Sequence, residues 1–132
     1  MKRILLDTNT YVGFKRNEAA ILQIVQQAEL IGINVTVLGE LLAGFKVGSK
    51  EEVNRKELDL FLESSRVKIL MVEEDTAEYY AKIFHDLKKK GTPIPTNDMW
   101  IAASAMQHGL WLVSSDDHFR HIEGLMLLAL GR

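Results

Sequence analysis

Short apolar runs alternate along this chain with longer stretches of helical periodicity, the rhythm of an α/β domain built on a mainly parallel sheet. Ile4-Leu5-Leu6 predicts a first strand over residues 4–6, followed by a polar loop at Thr8-Asn9-Thr10. Residues 18–30 predict a helix whose apolar face is Ala19, Leu22, Ile24, Val25 and Ala28. Val35-Thr36-Val37 reads as a second strand, and residues 38–45 as a short helix ending near Gly48. Ser49 with Glu52 three positions later forms a capping-box signature for a helix through Leu62. Residues 67–72 predict a third strand. Residues 73–90 form a long helix that starts acidic, ends at Lys88-Lys89-Lys90 and stops at Gly91, in keeping with the helix dipole. That lysine run reads as a solvated helix end. Thr96 is the expected N-cap of a helix reaching His108. Residues 111–113 form the next strand, 116–121 a turn or short helix, and 125–130 a final strand.

The 132 residues predict a single domain, 1–132, large enough for one real core. No internal repeat, low-complexity segment or linker divides it. No cysteine is present, which excludes disulfides and thiolate metal sites and fits a cytoplasmic location. The apolar runs are too short to span a bilayer, so no membrane association is expected. Asp7 and Asn9 interrupt the opening Met1-Lys2-Arg3-Ile4-Leu5-Leu6 before a signal peptide's apolar region forms. A net charge of −2 argues against a generic nucleic-acid coat protein. It leaves a nuclease open, because an acidic metal centre lowers net charge while a local basic patch still holds phosphates.

The chemistry rests on Asp7, Glu40, Asp98 and Asp116. Each ends an apolar run or opens a helix-like stretch, unusual places to leave a charge. Ligands bind outside the carboxyl ends of strands in an open parallel sheet. Asp7 and Asp116 follow strands, Glu40 begins a helix just after one, and Asp98 lies in a first helical turn. Singly, each has a plain reading as a cap, a turn residue or a dipole partner. Together they would repel one another unless a hard divalent cation, Mg²⁺ or Mn²⁺, offset their charge. Such a centre activates water for in-line attack on a phosphodiester. His118 and His121 make a poor zinc pair without a third partner and read as surface or supporting groups.

With their flanks, these positions resemble the PIN-domain ribonucleases, most closely the VapC-like toxins of toxin–antitoxin pairs. The matching pieces are Leu5-Leu6-Asp7-Thr8-Asn9, Val37-Leu38-Gly39-Glu40-Leu41, Pro95-Thr96-Asn97-Asp98-Met99-Trp100-Ile101-Ala102-Ala103 and Leu112-Val113-Ser114-Ser115-Asp116-Asp117-His118-Phe119. The resemblance implies a three-layer α/β/α fold and an Mg²⁺- or Mn²⁺-dependent endoribonuclease; the acid cluster, without a histidine acid/base pair, predicts 5′-phosphate and 3′-hydroxyl ends. Asp7, Glu40 and Asp98 then correspond to the core metal-binding acids and Asp116 to the fourth, with Asp117 its neighbouring rival. Asn9 and Ser114 match supporting polar positions; Ser114 stands where relatives commonly carry Thr. The resemblance also implies an RNA substrate, a homodimer and a cognate antitoxin. Tyr11, Phe14, Leu41, Leu42 and Phe45 are candidates for the antitoxin surface or, equally, for core packing. Lys46, Lys50, Arg55 and Lys56 are candidate RNA-phosphate contacts or a solvated face. Trp100 reads as helix packing rather than a base-stacking platform.

Two other classes stay open on the residues alone. A haloacid-dehalogenase-like phosphatase also places an aspartate after its first strand, but Asp7-Thr8-Asn9 lacks the usual second aspartate and leaves Glu40 without a role. A noncatalytic PIN-like module would bind RNA or protein through the same groove.

Overall fold

The computed structural model describes residues 2–131; the expected domain ends at Met1 and Arg132 lie outside them. Five strands form one parallel sheet: β1 Arg3–Leu6, β2 Leu30–Asn34, β3 Val67–Leu70, β4 Trp111–Ser114 and β5 Leu127–Ala129. Their spatial order is β3-β2-β1-β4-β5. Six helices flank the sheet: α1 Thr8–Lys15, α2 Ala19–Gln27, α3 Val35–Val47, α4 Glu51–Leu62, α5 Glu74–Lys90 and α6 Thr96–His108. A 3₁₀ turn covers Asp117–His121.

β1 is central, and after the exposed Arg3 its side chains are apolar: Ile4, Leu5 and Leu6 are fully buried. Leu5 pairs with Gly32 on one side and Leu112 on the other. The chain lays down β2 and β3 to one side of β1, then β4 and β5 to the other. The order therefore reverses between β1 and β4, and a crevice opens outside their carboxyl ends. Asp7 and Asp116 follow those two strands.

Several expected elements fall differently. The helix expected over 18–30 ends at Gln27, and the second strand is Leu30–Asn34 rather than 35–37. At Gly32 an added Cβ would lie 2.9 Å from Leu70 Cδ1 and 3.0 Å from Leu110 Cδ1, so a larger residue there would make those leucine side chains shift. Val35-Thr36-Val37 forms the first turn of α3, because the Asn34 side chain accepts from Thr36 N–H at 2.8 Å and caps it. The expected loop at Thr8-Asn9-Thr10 is the first turn of α1, capped in the same way by Asp7.

The expected Ser49/Glu52 capping box does not form. Lys50 is the N-cap of α4 without a side-chain bond, and Glu51 and Glu52 complement the dipole instead. A capping box forms at α5, where Glu73 N–H donates to Thr76 Oγ1 at 3.0 Å. Gly91 ends α5 in the left-handed region at φ 73°. Pro95, not Thr96, is the N-cap of α6. β3 stops at Leu70 and β5 spans three residues, both shorter than expected. Trp100 stacks on Tyr80 at 4.1 Å between ring centroids, so it packs α6 against α5.

Candidate active site

Asp7 is 6% exposed, a carboxylate at the end of a buried strand. Local hydrogen bonds make that burial tolerable. Its Oδ1 accepts from Thr10 N–H at 2.9 Å, which starts α1, and its Oδ2 accepts from Ser114 Oγ at 2.5 Å. Ser114 Oγ also accepts from Asp116 N–H at 3.0 Å, so one hydroxyl joins two of the acids. Thr10 Oγ1 donates to the Val113 carbonyl at 2.7 Å and ties α1 to β4.

Asp116 caps the 3₁₀ turn through His118 N–H at 3.0 Å. That turn brings His118 Nδ1 to 3.1 Å from Asp98 Oδ2 and 3.0 Å from Asp116 Oδ1. Asp98 stands in the first turn of α6, where the dipole favours its charge. Burial nevertheless raises its pKa above the ordinary carboxylate value. Asp116 and Glu40 push the same way, while His118 pulls it down.

Glu40 does not begin a helix after a strand, as the sequence suggested. It projects from the middle of α3, because the chain turns helical already at Val35. Its two oxygens are held from two directions: Thr8 Oγ1 donates to Oε1 at 2.5 Å and Asn97 Nδ2 to Oε2 at 3.2 Å.

Asp7, Glu40, Asp98 and Asp116 line one cleft of about 130 Å³ together with Thr8, Asn9 and Ile101. Asn9 is exposed at its rim, and Ser114 lies beneath. Asp117 pairs outward with Arg120 at 3.2 Å, away from this cleft's lining. Asp98, Asp116 and His118 offer three ligand atoms within 4.8 Å of one another. The donor set is mostly carboxylate oxygen, the chemistry that hard divalent cations take. The cleft could hold a metal ion.

Sequence reasoning missed Thr8 and Asn97, while His118, read as a surface or supporting group, is exposed and lies against two of the acids. Thr8 follows Asp7, Asn97 precedes Asp98 and His118 stands two positions after Asp116. Adjacency to an acid within each motif was the available signal.

The residues proposed for a protein partner divide. Tyr11 and Leu41 are buried core, whereas Phe14, Leu42 and Phe45 are half-buried. Tyr11 and Phe45 line a groove of about 490 Å³ with Val12, Lys15, Arg16, Lys50, Asn54 and Glu57. Of the candidate phosphate contacts, Lys46 pairs with Glu51 at 3.1 Å and Lys56 with Glu52 at 3.6 Å. Arg55 is exposed.

The family model described as PIN domain matches residues 4–125. Ribonuclease VapC2 of Rickettsia felis is 33% identical over 107 residues, covering 80% of this chain and 78% of that protein. Ribonuclease VapC4 of Mycobacterium tuberculosis is 27% identical over 119 residues, 90% of each. Among solved structures, a chain of VapBC2 from Rickettsia felis, bound to a promoter DNA fragment, superposes with a TM-score of 0.84. It shares 28% identity and covers 97% of this chain and 98% of that one.

Proposed function

This chain belongs to the PIN domain family, and from that premise we propose that it is a metal-dependent endoribonuclease, the toxin of a toxin–antitoxin pair. The observation that carries the reading is the meeting of Asp7, Glu40, Asp98 and Asp116 in one cleft at the point where the strand order reverses. The ribonuclease relatives, matched over 90% and 78% of their lengths, support it. Glu40 beside Asp7 counts against the phosphatase reading, which has no work for it.

Asp7, Glu40, Asp98 and Asp116 are the residues that would hold Mg²⁺ or Mn²⁺, with Ser114 and Asn9 in support. The fit rests on donor chemistry and on Asp98, whose raised pKa reflects burial beside Asp116 and Glu40. When bound, a divalent cation offsets that charge, favours ionisation of the attacking water and stabilises the leaving oxygen. The chain's own residues prepare the place. Ser114 and Thr10 each donate to one oxygen of Asp7, leaving further lone pairs available on both. The α6 dipole supports negative charge on Asp98. Ile101, 1% exposed, walls the floor of the cleft against water.

The same reading takes residues 1–132 as one PIN-like domain, cytoplasmic and homodimeric, acting on RNA and restrained by an antitoxin. One continuous core across both faces of the sheet supports the single domain. Among the described residues no helix is long and apolar enough to cross a membrane. The likeness to a VapBC2 chain and the groove beside Tyr11 and Phe45 support a protein partner.

The test is cleavage of a structured RNA by antitoxin-free protein in Mg²⁺ or Mn²⁺, alongside EDTA and Asp98→Asn. Cleavage lost in both controls, with 5′-phosphate and 3′-hydroxyl product ends, is the expected result. Cyclic phosphate ends would overturn hydrolysis by water, and activity surviving both controls would overturn the site.

A further inference from the structure

Glu40 is held differently from the other three acids. Asp7 and Asp116 cap turns of backbone through short side chains, and Asp98 stands in the first turn of α6. Glu40 rises from the interior of α3, where the backbone N–H groups are engaged within the helix. Its carboxylate sits at the end of a long, freely rotating side chain, so nothing in its own helix sets where that carboxylate rests. What sets it is a pair of donors on two other helices: Thr8 at the start of α1 holds Oε1, and Asn97 in the first turn of α6 holds Oε2.

Those two donors are the chain neighbours of two other cleft acids. Thr8 follows Asp7 and Asn97 precedes Asp98. The backbone that carries each of those acids therefore also carries one grip on Glu40. We propose that Thr8 and Asn97 are positioning residues that lock the Glu40 carboxylate into register with Asp7 and Asp98, so that three helices present one preformed cation site. Each donor engages one oxygen and leaves lone pairs on both for a cation. The two grips also differ in kind. Thr8 is half-buried and short, whereas Asn97 reaches in from the exposed rim. The proposal rests on the reading of the cleft as a divalent-cation site.

The experiment is titration of metal-free protein with Mn²⁺ by calorimetry, with the melting temperature in EDTA recorded for every variant. Thr8→Val and Asn97→Ala should each weaken Mn²⁺ binding about ten- to a hundredfold, the usual cost of losing a group that orients a metal ligand. Thr8→Ser, which keeps the hydroxyl, should bind like the parent. Melting temperatures in EDTA should be unchanged for Asn97→Ala, whose side chain is exposed. In a Glu40→Ala background, Asn97→Ala should cause no further loss, because its partner is gone. Unaltered affinity in both single variants would overturn the proposal. So would equal weakening by Asn97→Ala with and without Glu40, which would mean that Asn97 acts on the cation by another route. Absence of Mn²⁺ binding by the parent protein would instead overturn the cation-site reading, and the clamp with it.

Discussion

The Ser114 hydroxyl donates to Asp7 Oδ2 across 107 positions of sequence and also accepts the N–H of Asp116. A single small side chain at the end of β4 thus fixes two acids that arrive from different strands. Ser114→Ala should leave a buried carboxylate short of a donor and destabilise the fold by about 1–3 kcal/mol. Cleavage should fall with it. Ser114→Thr keeps the hydroxyl and should retain most of both. Urea denaturation and a cleavage assay on the three proteins check this.

Asp98→Asn should separate folding from function. Asp98 holds its proton more tightly in the folded protein than in the unfolded chain, through burial with Asp116 and Glu40 adding to it. The folded state then binds more protons across that interval, so stability falls as pH rises from the ordinary aspartate range through the raised value. At neutral pH the ionised group works against the cation-free fold. The variant should melt a few degrees higher in EDTA, lose the stabilisation that Mn²⁺ gives the parent, and not cleave RNA. Thermal melts with and without the cation read all but the last directly.

Tyr11 predicts an alkaline limit. Burial, with the Glu57 carboxylate adding to it, pushes its phenol from 10.0 up to about 12. Between those values the unfolded chain has lost a proton that the folded one keeps, so stability declines as pH rises and is unaffected below. Tyr11→Phe should flatten that decline. Urea midpoints at about pH 9 and about pH 11 would reveal it; an unchanged slope would assign the alkaline sensitivity elsewhere.

His118 is exposed, yet its ring sits between two carboxylates. An ion shared by Asp98 and Asp116 would meet its Nδ1, and imidazole suits Mn²⁺ better than Mg²⁺. His118→Ala should therefore weaken Mn²⁺ more than Mg²⁺. Parallel titrations with the two ions test it; equal weakening would mean that the ring only orients the acids.

The sheet was legible in the sequence wherever a strand was a closed apolar run, as at Ile4-Leu5-Leu6 and Leu112-Val113. It was misread where tertiary contacts overrode local preference. Val35-Thr36-Val37 favours a strand by composition, yet the Asn34 cap turns it into helix. The true strand, Leu30–Asn34, carries a glycine that weakens its signal and against which Leu70 and Leu110 pack closely. The acids could be named because charges at the ends of apolar runs need a reason to be there. Their supports were only hinted at by adjacency to Asp7 and Asp98, because the grip of Thr8 and Asn97 on Glu40 runs between helices far apart in sequence.

The position of β1 has a consequence for how the protein is born. Its strand and Asp7 leave the ribosome early, but β1 lies between β2 and β4, and β4 is synthesised only after residue 110. Asp98, Ser114 and Asp116 all belong to the last third of the chain. An edge strand could have been sealed at once; a central one waits for its second neighbour. On the reading advanced above, the nascent polypeptide cannot complete its acidic cleft until most of the chain has been translated.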